Sequence, residues 1–269
     1  MRSGDDRVVF DSHAHLQDPR VLEPAVAWEH ARAAGVRRVV LAGVDAADWA
    51  RQAALAALPG VSRSVGIHPQ IVAALDAAGR ERELAALEQT LAVRSAGVVA
   101  IGEIGMDGIG DRRASYDAQA ALFEEQLRLA QRHDLPVILH ILRAHEEALR
   151  VLERVGVPAA GGVVHSYSGS PELVPRYLEH GLHLSFSGSI TWHEAGRAAR
   201  AVRACPRDRL LVETDAPDQT PRARRPDANE PAFLGDVVGA VAGILDAPVA
   251  EIASVTYENA CRLFRLEDS

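Results

Sequence analysis

The sequence predicts an α/β fold closed as a TIM-like (β/α)8 barrel, and three observations carry that expectation. Eight short Val/Ile/Leu-rich runs alternate with longer Ala, Glu, Arg and Leu-rich stretches of helical period. Polar, chemistry-bearing residues sit where runs one, three, four, five, six and eight give way to loops. No linker, low-complexity tract or compositional break divides the 269 residues, so residues 1–269 are read as one domain, a size that suits an α/β barrel of about 250 residues.

The strand-like runs are 8–11, 38–42, 62–67, 98–103, 136–140, 162–165, 183–187 and 209–214. Helical periodicity falls between them, at 23–34, 47–58, 82–93, 116–134, 144–155, 171–180, 195–205 and 231–245, with a closing helix over 257–264. Near-continuous apolar runs suit strands covered on both faces, as barrel strands are. An open sheet would spread the polar strand ends along a line of nearly 30 Å, at about 4.8 Å per strand. Closure is what brings the first and last of them together.

Composition narrows the classes. Hydrophobic residues make up 48% and charged residues 25%, a globular average. No apolar run approaches the roughly 20 residues that cross a bilayer, and the N-terminus enters a strand without a secretory signal. A cytoplasmic protein without membrane contact is expected; the sequence leaves the oligomeric state open, and a monomer is compatible with it. Cys205 and Cys261 read as ordinary thiols, too few for a disulfide framework and without paired zinc-site spacing. A net charge of −8 argues against a broad nucleic-acid-gripping surface, but bound cations and a local Arg cluster would leave room for a nucleic-acid substrate.

The chemistry-bearing residues form a metal-ligand pattern. His13 and His15 flank Ala14, so in an extended segment both imidazoles point to one side. Asp11 is a candidate to accept the other ring N–H of a ligand histidine. Glu103, between Gly102 and Gly105, has two oxygens with which to bridge ions about 3.5–4 Å apart. His140 and His165 each end an apolar strand where a core would place an aliphatic residue. Asp215, in Glu213-Thr214-Asp215-Ala216-Pro217, is placed to hold an ion and to accept a proton from the attacking water. Glu213 is expected to point to the opposite side of its strand. His68, in Gly66-Ile67-His68-Pro69, ranks as a substrate contact rather than a ligand. The histidines at 30, 133, 145, 180, 183 and 193 are expected in solvated or capping roles. Together these residues predict a metal-dependent hydrolase.

With these positions in hand, nearly the whole chain resembles the TatD-type metal-dependent deoxyribonucleases of the amidohydrolase superfamily. The resemblance runs through Asp11-Ser12-His13-Ala14-His15-Leu16, Gly66-Ile67-His68-Pro69, Gly102-Glu103-Ile104-Gly105-Met106-Asp107, 135–140 with Arg143-Ala144, His165-Ser166-Tyr167-Ser168-Gly169, 213–217, Asn229-Glu230-Pro231, and Asn259-Ala260 with Leu263-Phe264. It implies two divalent ions, one on His13, His15, Glu103 and Asp215 and the other on Glu103, His140 and His165. It also implies phosphodiester cleavage, commonly from the 3′ end of DNA, with Asp215 as proton acceptor and Glu103 between the ions. The mixed shell suits Zn²⁺, Mn²⁺, Co²⁺ or Mg²⁺.

The sequence departs from the family pattern at two places. Gly108-Ile109-Gly110 and Asp218-Gln219-Thr220-Pro221 stand where family members often carry aromatic residues, so surfaces for stacking bases are expected to be scarcer. Arg143, Arg222, Arg224 and Arg225 lie on the catalytic face and are the candidate phosphate contacts. Two other readings compete with a nuclease acting on single-stranded or frayed DNA ends. One is an ester or amide hydrolase of the same fold, such as a deacylase of aminoacylated tRNA; the other is a non-catalytic, metal-stabilised binding protein.

Overall fold

The structure, a computed structural model, describes residues 8–93, 96–192 and 196–266. His193, the first residue of the helix expected over 195–205, and the segment before Val8 lie outside the described residues. Eight strands, β1 (Val9–Ala14), β2 (Val36–Leu41), β3 (Val61–Val65), β4 (Val98–Asp107), β5 (Val137–Leu142), β6 (Gly162–Val164), β7 (Leu182–Phe186) and β8 (Leu210–Val212), follow one another in sheet order. Each neighbouring pair in that order is parallel. Beyond β8 the chain returns to β1: Asp215 N–H donates to His13 O (2.9 Å) and His15 N–H to Ala216 O (2.7 Å). These bonds bring the last strand against the first, and the sheet becomes a barrel.

Among the described residues ten helices, α1 (Pro24–Ala33), α2 (Ala46–Leu55), α3 (Pro69–Val72), α4 (Ala77–Ala92), α5 (Tyr116–His133), α6 (His145–Val155), α7 (Val174–Glu179), α8 (Arg197–Ala204), α9 (Leu234–Leu245) and α10 (Val249–Phe264), are interleaved with or follow the strands. Their starts are locally encoded. Asp45 caps α2 by accepting from Asp48 N–H, and Asp76 caps α4 by accepting from Gly79 N–H. The α4 cap lies six residues before the expected start at 82, because the Ala-Gly pair ahead of it masks the helical period. The closing helix is also longer than expected. It begins at Val249, since Ile252, Ala253, Thr256, Asn259, Ala260 and Leu263 are buried along one continuous face.

Alternation sorts the strand residues into two clusters. One faces the helices; the other gathers Phe10, Val40, Ala100, Ile138, Val163 and Leu211 on the barrel axis with Ala260, Leu263 and Phe264 of α10. The last helix therefore stops the N-terminal end of the barrel. Asn259 Nδ2 donates to the carbonyls of Arg207 and Leu210, tying α10 to β8. The other end is left for polar groups. Among the described residues no single helix is long and apolar enough to cross a membrane.

Candidate metal centre

Two strands lose regular pairing where they present donor atoms. The β1–β2 register shifts between Asp11 and Ala14, and the β4–β5 register between Ile101 and Ile104. An irregularity of this kind re-aims side chains at a site. Glu103 thus stands inside β4, which runs on to Asp107, rather than at the strand's end. Its N–H donates to Gly43 O (2.8 Å), and Gly43 N–H to Gly102 O (3.3 Å), so the loop after β2 holds the irregular stretch. Asp215 sits at φ +57°, a left-handed conformation that is uncommon outside glycine.

The carboxylate of Glu103 divides two groups of donors. Its Oε1 lies 3.4 Å from His13 Nε2 and 3.2 Å from His15 Nε2, and each of those nitrogens is 3.6 Å from Asp215 Oδ1. Its Oε2 lies 2.8 Å from His165 Nε2, 3.4 Å from His140 Nδ1 and 3.4 Å from His68 Nε2. Ligands bound at 2.0–2.1 Å in a tetrahedron are separated by about 3.3 Å. The first group has that spacing. Glu103 Oε1 is also buried without a hydrogen bond, an unsatisfied state that coordination would relieve. By these observations the donor set fits divalent cations.

Hydrogen bonds behind the rings fix which nitrogen faces the centre. His140 Nε2 is 3.2 Å from Asp107 Oδ2, and His165 Nδ1 is 3.3 Å from Glu213 Oε1. Each carboxylate takes the far ring N–H, leaving a lone pair turned inward. His68 is the opposite case. Its Nδ1 accepts from Gln70 N–H (3.1 Å), so the neutral ring carries its proton on Nε2 and offers a donor to the centre.

The charges are mutually dependent. Burial alone would raise the Glu103 carboxyl, but His13, His68 and His165 hold it well below the usual carboxylate range. Burial would lower His15 and His165. Glu103 outweighs it in both, taking His15 up to about 9 and His165 well above an ordinary histidine. Burial dominates at His68, pushed down to about 4, and at Asp215, which is raised. The carboxylates draw positive charge into the centre, a demand that cations meet as readily as protons.

Several expectations change. Asp11 does not reach a histidine ring; it accepts from Thr214 Oγ1, Thr214 N–H (2.9 Å) and His13 N–H (3.3 Å), joining β8 to β1. Burial pushes its carboxyl up to about 7. Glu213 does not turn away from the site but backs His165 and accepts from Ser166 N–H (2.7 Å). His183 is not solvated but buried on β7, and half-buried His145 pairs its Nδ1 with Tyr177 Oη (2.8 Å). The alternation of β8 misleads for Glu213 because the strand ends at Val212.

The arginines divide. Arg224 is paired with Asp236 (2.6 Å) and lies over the Phe233 ring, which turns it to α9. Arg225 lies over the Trp192 ring, and Arg143 and Arg222 are exposed. A cavity of about 350 Å³ opens beside the cluster, with His140, His165, Asp215, Tyr167, Trp192 and Arg197 among its lining residues. Trp192 and Arg197 were not singled out by their sequence context. At Gly108 a side chain is impossible, since a Cβ would lie 2.6 Å from Arg143 O. An aromatic surface is present nonetheless, supplied by the segment after β7.

A parallel eight-stranded barrel carrying a His/carboxylate cluster at one end defines the class of metal-dependent hydrolases. Comparison with known proteins narrows it. The model of the TatD related DNase family matches residues 10–265. The metal-dependent hydrolase YabD of Bacillus subtilis is 35% identical over 96% of this chain and 100% of its own. The 3′-5′ ssDNA/RNA exonuclease TatD of Pantoea vagans is 35% identical over 88% of this chain and 92% of its own. The crystal structure of the TatD homologue YjjV from Escherichia coli superposes with a TM-score of 0.89 at 32% identity, covering 97% of this chain and 100% of that one. The chain belongs to the TatD family, and it is a metal-dependent hydrolase.

Proposed function

We propose that this hydrolase is a two-metal nuclease that removes nucleotides from the 3′ end of single-stranded or frayed DNA. The observation that carries the reading is the division of Glu103, one oxygen toward each of two donor groups. His13, His15, Glu103 and Asp215 would hold one ion, and Glu103, His140 and His165 the other. Divalent cations bound there would acidify the attacking water and neutralise charge on the phosphoryl oxygens. Asp215 accepts the proton of that water, a role suited to a carboxyl that burial raises above the ordinary carboxylate range. The water oxygen forms a bond to phosphorus as the bond to the 3′ oxygen breaks. His68 donates its Nε2–H to a phosphoryl oxygen rather than ligating an ion, as its hydrogen bond from Gln70 favours. Arg143 and Arg222 meet the strand's other phosphates. The exonuclease name of the Pantoea relative agrees in substrate and direction.

The test follows label release from 3′-labelled and 5′-labelled single-stranded DNA with Mn²⁺ or Mg²⁺, with EDTA, and with Glu103→Ala and Asp215→Ala. Metal-dependent release from the 3′ end is expected, reduced at least 1,000-fold in both variants, as removal of principal catalytic groups commonly does. A folded, metal-loaded protein that releases nothing would overturn the nuclease reading and turn the search to acylated tRNA and small esters.

A further inference from the structure

We propose that the cavity beside the cluster is a subsite for the terminal nucleoside of the substrate strand, with the indole of Trp192 as the surface on which its base stacks. The assignment rests on the nuclease reading. His140, His165 and Asp215 form one end of the cavity, so a strand whose scissile phosphate lay at the cluster would send its last unit into it. A volume of about 350 Å³ is near the lower limit of small-molecule pockets, about 300 Å³. It holds one nucleoside and not a run of bases.

Besides the imidazoles of His140 and His165, two aromatic rings line the cavity among the described residues, and their surroundings separate them. Tyr167 is buried against Tyr177, Phe186 and His145, and its hydroxyl donates to Ser170 O. Trp192 is half-buried. Its Nε1–H donates to Thr220 O (2.9 Å), and the Arg225 guanidinium lies 4.2 Å from the ring centroid. The ring is thereby fixed at its edge and covered by a cation on one side, and it lines the cavity. A held indole loses little freedom when a base stacks on it.

The rest of the wall suits a sugar-phosphate unit. Asp215 is its only carboxylate among the described residues, against a chain of net charge −8, and Arg197 adds a cation. Ser166 and Ser189 line it with hydroxyls that both reach Ser187 Oγ, at 2.9 and 3.1 Å. Gln219, also on this wall, has a buried Oε1 without a hydrogen bond. Such a set grips sugar, phosphate and ring faces with little reading of base edges, so all four bases are accepted.

The test compares strands ending in a normal or an abasic nucleotide, cut by the metal-loaded wild type, Trp192→Ala and Trp192→Phe. In the wild type kcat/KM should favour the base-bearing end roughly tenfold, mostly through KM. Trp192→Ala should reduce that preference to within about twofold, while Trp192→Phe keeps most of it. Full preference in Trp192→Ala would overturn the subsite. A second readout is independent of cleavage. Trp28 and Trp49 are buried, so dAMP should quench the indole emission of Trp192 where deoxyribose 5-phosphate does not. Quenching without cleavage of any strand would sink the nuclease reading and keep the nucleoside pocket; cleavage without quenching would do the reverse.

Discussion

At the scale of single residues, a histidine's role in the centre depends on the atom behind its ring. His165 and His68 both approach Glu103 Oε2, yet Glu213 backs one ring and Gln70 N–H the other. Glu213 itself feels opposing influences: burial raises its carboxyl, and the hydrogen bond and charge of His165 outweigh burial and lower it. Glu213→Gln keeps the shape but removes the charge and offers an amide that can turn a donor toward His165. Metal affinity of the cluster should fall about 10- to 100-fold, as it does when such partners are removed, with the fold unchanged by circular dichroism. A metal titration indistinguishable from wild type would show that Glu213 does not tune this ligand. The sequence displayed His13, His15, Glu103, His140, His165 and Asp215 because each breaks an apolar run. It could not display the partners. Asp107 and Glu213 acquire their roles from neighbours 33 and 48 residues away, and Trp192 from a cavity whose walls meet only after closure.

At the scale of elements, strands were legible and their irregularities were not. The eight expected runs all overlap observed strands, since β-branched periodicity is local; the extension of β4 from Glu103 to Asp107 is not, because it depends on pairing with β5. Helices α4 and α10 began early for related reasons, one at a side-chain cap and one on a face defined by the barrel it closes. Gly105 marks where β4 is least tolerant. It adopts φ +135°, and an added Cβ would fall against the His140 carbonyl. Gly110 provides the comparison: its φ is +57°, and a methyl group added there would meet nothing within 4 Å. Gly110→Ala should cost about 1 kcal/mol, whereas Gly105→Ala combines backbone strain of about 1–3 kcal/mol with the collision. Urea denaturation of both variants measures the difference. Equal midpoints would mean that β4 and β5 can separate at His140 without penalty.

At the scale of the whole molecule, the barrel has a polar end for chemistry and an apolar end stopped by α10, and one ionisable ring lies on the wrong side of that division. His183 alternates with helix-facing Leu182 and Leu184 on β7, so it points to the barrel axis. It is buried, and neither ring nitrogen makes a well-formed hydrogen bond. Burial, aided by the positive charges of Arg209 and Arg262 and opposed by the Gly162 backbone carbonyl and by Asp208, pushes its pKa down to about 4. An unfolded chain gives the same ring a pKa of about 6.5. As pH falls below that value the unfolded state takes up the proton first, so stability is full above about 6.5, declines toward 4 and levels off below. The window is worth about 3 kcal/mol. His183→Leu removes the titrating group and its unsatisfied nitrogens together, so it should exceed the wild type at pH 4.5 while differing little at pH 7. Urea midpoints at pH 7, 5.5 and 4.5 decide it, with the wild-type-minus-variant difference as the quantity read, because His68 and His145 are also pushed down and contribute equally to both proteins. A difference that stays constant across the three pH values would mean that His183 reaches solvent or a counter-charge when protonated, and the acid-sensitive element would have to be sought at the other end of the barrel.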